Sequence, residues 1–163
     1  MSTGYNWRTT LTHFAAIAGV LAGFCVTFIA LALGGKVADI GICTTGVTFG
    51  QISVLLFGIS TGLFICAAEL FLCAKEFDVF NIPKPYRELL KEDCELKKKD
   101  WAEFEDEQTA KCRRNESLAR RCYNFGIFII FGGLFFAIVP YNIVIAVIVA
   151  GLGISLELWQ MLR

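Results

Sequence analysis

The sequence predicts an all-α, polytopic membrane protein with four transmembrane helices and a cytosolic helical hairpin between the second and the third. Hydrophobic residues make up 56% of the 163 residues, against about 45–50% in soluble domains. Of the 30 charged side chains, 24 lie between Lys75 and Arg121, so the apolar stretches on both sides carry almost no charge. The length suits a single membrane domain covering residues 1–163.

The first two spans are predicted at residues 10–33 and 47–74. The first has His13 as its only ionisable side chain, and as a helix it exceeds the ~30 Å hydrocarbon core. A cleaved signal peptide is the competing interpretation because Arg8 precedes the apolar run, although the apolar part of such a signal usually has only about 7–15 residues. The second span contains one charge, Glu69, and is long enough to cross with tilt.

A charge-free stretch at residues 122–156 predicts the third and fourth spans together. As one helix it would reach about 52 Å, which exceeds the thickness of the bilayer, so the chain must fold back. Pro140 and Asn142 supply the turn, because proline interrupts helices and asparagine accepts turn conformations. The two spans are therefore predicted at residues 122–139 and 143–161.

Residues 75–121 form the predicted cytosolic segment. Between Tyr86 and Phe125 the sequence has no glycine or proline and is rich in strong helix formers, so helix is expected throughout. One straight helix would reach about 58 Å from the bilayer, yet the chain must return to enter the third span. The segment is therefore predicted to be a helical hairpin, with its bend in the acidic run at residues 103–107.

The outgoing helix of this hairpin carries an apolar stripe at helical spacing. One interpretation is that the stripe packs on the returning helix, through Ala110, Cys112 and Ala119, or on a neighbouring subunit. The other is that it docks a separate partner protein. The stripe consists of Tyr86, Leu89, Leu90, Cys94, Trp101 and Phe104.

The distribution of basic residues predicts that both termini of this multi-pass protein are cytosolic. The segment between the second and third spans holds 12 Lys and Arg residues, whereas the first loop holds only Lys36 and the last turn holds none. The same segment also holds 12 acidic residues. This balance gives no basic field of the kind that binds nucleic acid or an anionic membrane surface, so the expected surroundings are the lipid bilayer and other protein.

Small residues recur every four positions in the first two spans, a pattern that lets helix backbones approach closely in lipid. Contacts within one chain and contacts between chains use such residues equally, so a homo-oligomer and a complex with another membrane protein both stay open. The candidate packing residues are Ala15, Gly19, Gly23, Gly58 and Gly62.

Three ionisable residues inside the predicted spans, His13, Glu69 and Glu157, are candidates for a functional site. A charge in the bilayer costs at least about 2.5 kcal/mol, so each such residue calls for a functional hypothesis. With both termini cytosolic, the three residues are expected at similar depth. We predict a polar cluster near the inner leaflet, in which His13 pairs with a carboxylate and shares a proton or cation. The competing interpretation is that all three reach the polar interface.

The sequence contains no motif typical of an enzyme or of a cofactor site. A single histidine excludes bis-histidine haem ligation within one chain, and the seven cysteines include no C-x-x-C pair. The G-x-S-x-G, H-E-x-x-H and P-loop patterns are missing as well. We therefore predict a protein without catalytic activity, resident metal or cofactor.

Two functions stay open at this point. The first is an oligomeric membrane scaffold or accessory subunit whose cytosolic hairpin engages partners, and the alternative is an ion- or proton-conducting oligomer with the polar cluster near the inner leaflet. The plan of four spans, a small-residue-rich first helix and a helical extension after the second is similar in outline to the Orai calcium channels. In that family an acidic residue at the outer end of the first span forms the selectivity filter, whereas residues 31–33 here are Leu-Ala-Leu.

Overall fold

The computed structural model describes residues 7–33, 47–78, 84–96 and 100–161, and these parts of the chain contain helices and no strand. Three of the helices, the first, second and fourth, are long and apolar enough to cross a membrane. The predicted all-helical class is therefore confirmed for the described residues, and the three long apolar helices support the predicted membrane character. The helices are α1 (Trp7–Leu31), α2 (Phe49–Glu76), α3 (Lys84–Leu96), α4 (Trp101–Ile138) and α5 (Ile143–Met161).

Short polar side chains cap the starts of three helices. The Thr48 hydroxyl accepts a hydrogen bond from the Gln51 backbone N–H at 3.2 Å, and the Gln51 side chain accepts one from the Thr48 N–H at 3.1 Å, which completes a capping box before α2. The Asp100 carboxylate accepts from the Ala102 N–H at 3.1 Å and caps α4. Asn142 caps α5 by accepting from two N–H groups of its first turn.

The bend predicted in the acidic run at residues 103–107 is wrong, because α4 continues through this run as one helix of 38 residues. α4 begins at Trp101, and the Asp100 side chain caps it. Acidic side chains in the first turn of a helix interact favourably with its dipole, so Glu103 stabilises the start of α4. The helix then enters the apolar stretch after Arg121 without interruption.

The turn between α4 and α5 lies where Pro140 and Asn142 predict it. The backbone N–H groups of Tyr141 and Asn142 both donate to the Ile138 carbonyl oxygen, at 2.9 and 3.0 Å, and close the turn. The two helices then pack on each other. The ring of Phe131 lies so close to Gly153 that a Cβ there would overlap it.

α2 is the central helix of the bundle, because it packs against α1 and against α4, while α5 packs mainly against α4. The buried residues of α2 are spaced alternately by four and three positions, which is the repeat of a left-handed coiled coil. The same spacing occurs in α1. The buried residues are Ser53, Phe57, Ser60, Phe64, Ala67, Phe71 and Ala74 in α2 and Leu11, Ala15, Ala18, Ala22 and Cys25 in α1.

Two serine hydroxyls fix the register of the antiparallel pair α2–α4. The Ser53 hydroxyl donates to the Gly133 carbonyl oxygen at 2.9 Å, and the Ser60 hydroxyl donates to the Gly126 carbonyl oxygen at 3.2 Å. Ser60 lies seven residues after Ser53, and Gly126 lies seven residues before Gly133. Both helices therefore advance by two turns between the two contacts, and their register does not change. Lipid offers no partner to a hydroxyl, and each bond satisfies its donor.

An aromatic ring rests on the glycine at each of these contacts. A Cβ on Gly126 would lie 2.8 Å from the ring of Phe64, and a Cβ on Gly133 would lie 2.9 Å from the ring of Phe57. Both rings are fully buried. Only glycine leaves the space that this approach of α2 and α4 requires.

We expect Ser53→Ala and Ser60→Ala each to lower the free energy of unfolding by about 0.6 kcal/mol, and by no more than about 1.7, because hydrogen bonds between membrane helices have this strength. Unfolding by sodium dodecyl sulfate in mixed micelles measures the change. Ser117→Ala, at an exposed position of α4, is the control and should have no effect. A loss no larger than in the control would show that these bonds do not hold the helices together.

Candidate functional site

Aromatic rings, rather than polar groups, fill the interior of the bundle. Phe57, Phe64 and Phe71 are at most 1% exposed. Phe28 of α1 stacks on Phe57 with ring centroids 4.1 Å apart, and Phe14 of α1 stacks on Phe71 at 5.4 Å. The described interior of the bundle is therefore mainly apolar, with the Ser53 and Ser60 hydroxyls bonded to carbonyl oxygens of α4.

His13 and Glu69 both have exposed side chains, at the end of the bundle where Phe14 stacks on Phe71. His13 lines a shallow depression of about 200 Å³ together with Thr10, Phe14 and Ile17. In the described part of the chain no hydrogen bond or ion pair joins His13 to Glu69. The side chain of Glu157 lies outside the described residues, and the polar cluster stays a prediction.

The helix register gives the heights of the two glutamates along the bundle. The hydrogen bonds between α2 and α4 bring the backbone of Glu69 level with Ser117, about one turn before Arg121. α4 and α5 are antiparallel, and the contact of Phe131 with Gly153 brings the backbone of Glu157 level with Ile127, which is ten residues after Ser117 in α4. The two backbones are therefore roughly 15 Å apart along the bundle axis. Within one copy, Glu69 is closer in height to His13 than to Glu157.

The predicted packing residues occupy two kinds of position. Ala15 is buried in the bundle. The four glycines are exposed, and a Cβ added to any of them would meet nothing within 4 Å, so they make no close contact inside one copy. Their packing against another copy or another protein stays a prediction. These glycines are Gly19, Gly23, Gly58 and Gly62.

The glycines that carry close helix contacts lie in α4 instead. Sequence reasoning did not single out Gly126 as a packing residue. Its distance of seven residues from Gly133 equals the distance from Ser53 to Ser60 in α2. This matched spacing of two glycines and two serines was the available signal, because residues two turns apart lie on one face of a helix.

The predicted docking stripe on the outgoing helix is partly covered. Cys94 is buried, and Leu90, Trp101 and Phe104 are half-buried. The rings of Trp101 and Phe104 lie 5.6 Å apart. The rest of the stripe is open: Tyr86 is 63% exposed and Leu89 is 60% exposed.

Two charged contacts hold α3 against the start of α4. The Arg87 guanidinium donates to the Glu105 carboxylate at 2.6 Å, in a partly buried ion pair. The Lys91 ammonium lies over the Trp101 ring, 5.5 Å from its centroid. These pairs make α3 antiparallel to α4.

The remaining length of α4 before the apolar stretch packs on α2. Continuing the register of the serine contacts pairs Ala67 with Ala119 and Ala74 with Cys112, and all four residues are buried. Cys112 and Ala119 thus face α2 rather than the stripe on the outgoing helix, and Ala110 is exposed. α2 and α4 form one packed pair that extends beyond the apolar part of α4.

The reactivity of Cys112 tests this packing. Burial raises the pKa of the Cys112 thiol, and the carboxylates of Asp78 and Glu116 raise the pKa further. Only the thiolate reacts with maleimide. We therefore expect a variant whose only cysteine is Cys112 to react slowly at neutral pH and to accelerate only at higher pH than an exposed thiol.

The matched control is a variant whose only cysteine comes from Ala110→Cys, at an exposed position less than one turn away. Its labelling rate should be clearly higher at neutral pH, because burial and nearby carboxylates raise the pKa of the Cys112 thiol and so lower its thiolate fraction. Equal rates and equal pH profiles at the two positions would mean that α2 does not cover α4 there.

The described residues contain no group of three or more His, Cys, Asp or Glu side chains that could hold a metal ion. They contain a bundle whose interior is filled by phenylalanine rings. A helical segment, made of α3 and the start of α4, extends from one end of this bundle. Comparison of the chain with protein-family models, with curated proteins and with solved structures found no match.

Proposed function

We propose that the chain is an oligomeric membrane scaffold or accessory subunit with four spans and cytosolic termini, whose α3–α4 segment engages a partner protein. One observation carries this proposal. α4 runs from the water-facing charges into the apolar stretch as a single helix, and first α3 and then α2 pack along it. A rigid helix of this kind holds a binding surface at a fixed distance from the bilayer.

The candidate binding surface is the open part of the stripe, Tyr86 and Leu89 on α3. Exposed tyrosine and leucine side chains on one helix face are typical anchors for a helical or grooved partner. The ion pair of Arg87 with Glu105 supports this interpretation, because it holds α3 in one orientation. Packing by the exposed glycines of α1 and α2 against a second copy would leave this surface free.

A photoreactive amino acid placed at position 86 or 89 tests the proposal in native membranes. We expect both positions to yield an adduct with the same protein, because they lie on one face of α3. Glu95, which is exposed on the other flank of α3, is the matched control and should yield no such adduct. Equal adducts at all three positions, or none at positions 86 and 89, would contradict the proposal.

A fluorophore-quenching assay tests the proposed orientation. A fluorescent tag on either terminus of the chain, reconstituted in sealed vesicles, should be quenched to the same extent by a membrane-impermeant reagent. An even number of spans puts both ends on one side. Opposite accessibility of the two tags would rule out four spans.

Conduction of ions or protons by an oligomer is the second candidate. The exposure of His13 and Glu69 at one end of the bundle favours it, because both side chains could line a path between copies. Flux through liposomes that contain the purified chain should then fall about tenfold or more in Glu69→Gln, whose side chain cannot ionise. Absence of flux in the unmodified protein removes this candidate and leaves the scaffold proposal untouched.

A further inference from the structure

The charges of α4 are sorted along the helix, although the cytosolic segment as a whole is neutral. Its first two turns carry four acidic residues between positions 103 and 107. The two turns before the apolar stretch carry Arg113, Arg114, Arg120 and Arg121, with Glu116 as their only acid. A local basic field therefore adjoins the apolar part of the helix.

Three acids of this helix form ion pairs with bases outside the group Arg113, Arg114 and Arg121. Glu105 binds Arg87, Glu107 binds Lys111 at 2.7 Å, and Glu116 binds Arg120 at 2.8 Å. Arg120 also lies over the ring of Phe14 on α1. The three remaining arginines are exposed and form no ion pair with any described residue. We name this group, Arg113, Arg114 and Arg121, the arginine collar.

The collar adjoins the apolar surface of the bundle. Phe125, one turn after Arg121, begins the exposed apolar surface of α4, and Leu118 between the arginines is exposed as well. Helical side chains point back toward the helix N-terminus, which for α4 is the direction away from the hydrocarbon. The guanidinium groups therefore point away from the apolar stretch, and their methylene stems cover the surface between them and it.

Glu69 of α2 lies at a similar height, but it does not face the collar. The α2 residues that pack into the bundle near this height are Ala67 and Phe71, and Glu69 is exposed on the opposite side of the helix. The acid nearest in sequence, Glu116, is already bound to Arg120 and only 15% exposed. Neither Glu69 nor Glu116 thus forms an ion pair with the collar.

We infer that the arginine collar binds the phosphate groups of anionic phospholipids in the leaflet on the α3 side of the membrane. A guanidinium donates two parallel hydrogen bonds to a phosphate, and basic clusters beside a membrane span attract anionic headgroups. The exposed apolar surface that begins at Phe125 contacts the acyl chains of the same lipid. Bound lipid fixes the height of α4 in the bilayer, and this role does not depend on a partner protein at α3.

The test uses the purified full chain in mixed micelles of dodecyl maltoside and dioleoylphosphatidylserine, with dioleoylphosphatidylcholine as the neutral lipid. The apparent dissociation constant is measured from the rise in melting temperature with lipid. We expect phosphatidylserine to bind, and the triple variant R113Q/R114Q/R121Q to bind it about tenfold or more weakly. Inorganic phosphate alone should not stabilise the chain, because it lacks the acyl chains.

Two further variants separate the collar from other effects. K97Q/K98Q/K99Q removes the same number of charges from the same segment and should bind like the unmodified chain. R113K/R114K/R121K keeps the charge and should retain most of the affinity, because lysine still attracts phosphate. Equal weakening in the two glutamine variants, equal binding of both lipids, or full stabilisation by inorganic phosphate overturns the inference.

Discussion

Replacing Gly126 or Gly133 by alanine is expected to lower the free energy of unfolding by about 1–3 kcal/mol, which is the usual effect of overpacking a core. The added methyl group would lie within 3 Å of the ring of Phe64 or Phe57. Neither ring has room to move, because both are fully buried and each packs against a further aromatic ring. The helices α2 and α4 must therefore separate slightly.

Gly58→Ala and Gly62→Ala are the matched controls in the same bundle. A Cβ at either position meets nothing within 4 Å, so we expect no loss of stability and some gain from the better helix propensity of alanine. Unfolding by sodium dodecyl sulfate in mixed micelles compares the four variants. If Gly58→Ala were more damaging than Gly126→Ala, α2 would pack through its other face, contrary to the structure.

Phe64→Ala is expected to lower the free energy of unfolding by about 3–5 kcal/mol, the largest effect of any single substitution proposed for this chain. The ring is fully buried between α2 and α4 and meets the ring of Tyr123 at a centroid distance of 5.8 Å. Its removal leaves a cavity that the neighbouring helices fill only in part. The same denaturation assay measures the loss.

Combining Phe64→Ala with Gly126→Ala gives a sharper test, because the two residues touch. Once the ring is gone, the new methyl group has space and fills part of the cavity. The double variant should therefore be more stable than the sum of the two single losses implies, by about 0.5–3 kcal/mol, the range of coupling between residues in contact. Strictly additive losses would show that Gly126 and Phe64 do not pack on each other.

The apolar lengths and the confinement of charge to residues 75–121 were enough to predict the helical class and the membrane character. Pro140 and Asn142 were enough to predict where α4 ends, because their conformational preferences are local. The start of α4 was equally readable: Asp100 followed by Glu103 is a strong N-terminal signal. The charges of the acidic run alone favour a bend there, whereas the Asp100 cap together with Glu103 indicates that the helix begins before the run.

The choice of packing glycines could not be predicted from spacing alone. Gly58 and Gly62 have the four-residue spacing of a packing face, yet they are exposed in one copy. Gly126 and Gly133 pack closely because phenylalanines of α2 lie opposite them, and that pairing depends on the register between two helices distant in sequence. The relative heights of Glu69 and Glu157 were also unpredictable, because they depend both on the register of α2 with α4 and on the register of α4 with α5.

The covering of the helical segment between the second and third spans has a similar cause. Cys112 and Ala119 pack on α2 because the register between α2 and α4 continues into the charged part of α4, which precedes its apolar part. The sequence predicts that the second span ends at Ala74 and that Cys112 and Ala119 pack against the outgoing helix. Small buried residues at spacings of seven fit either partner, so the pattern alone could not decide between them.

A spin-label scan of α4 from Trp101 to Ile138, in lipid bilayers, tests most directly whether this helix leaves the membrane while packed on α2. Oxygen and a water-soluble nickel complex report lipid and water exposure at each position. We expect oxygen to dominate at exposed positions from Phe125 onward and nickel to dominate before Arg113, with both rates at a minimum at Cys112, Ala119 and Gly126. Uniform nickel accessibility through residues 108–119, or oxygen dominating near Trp101, would contradict the proposed arrangement.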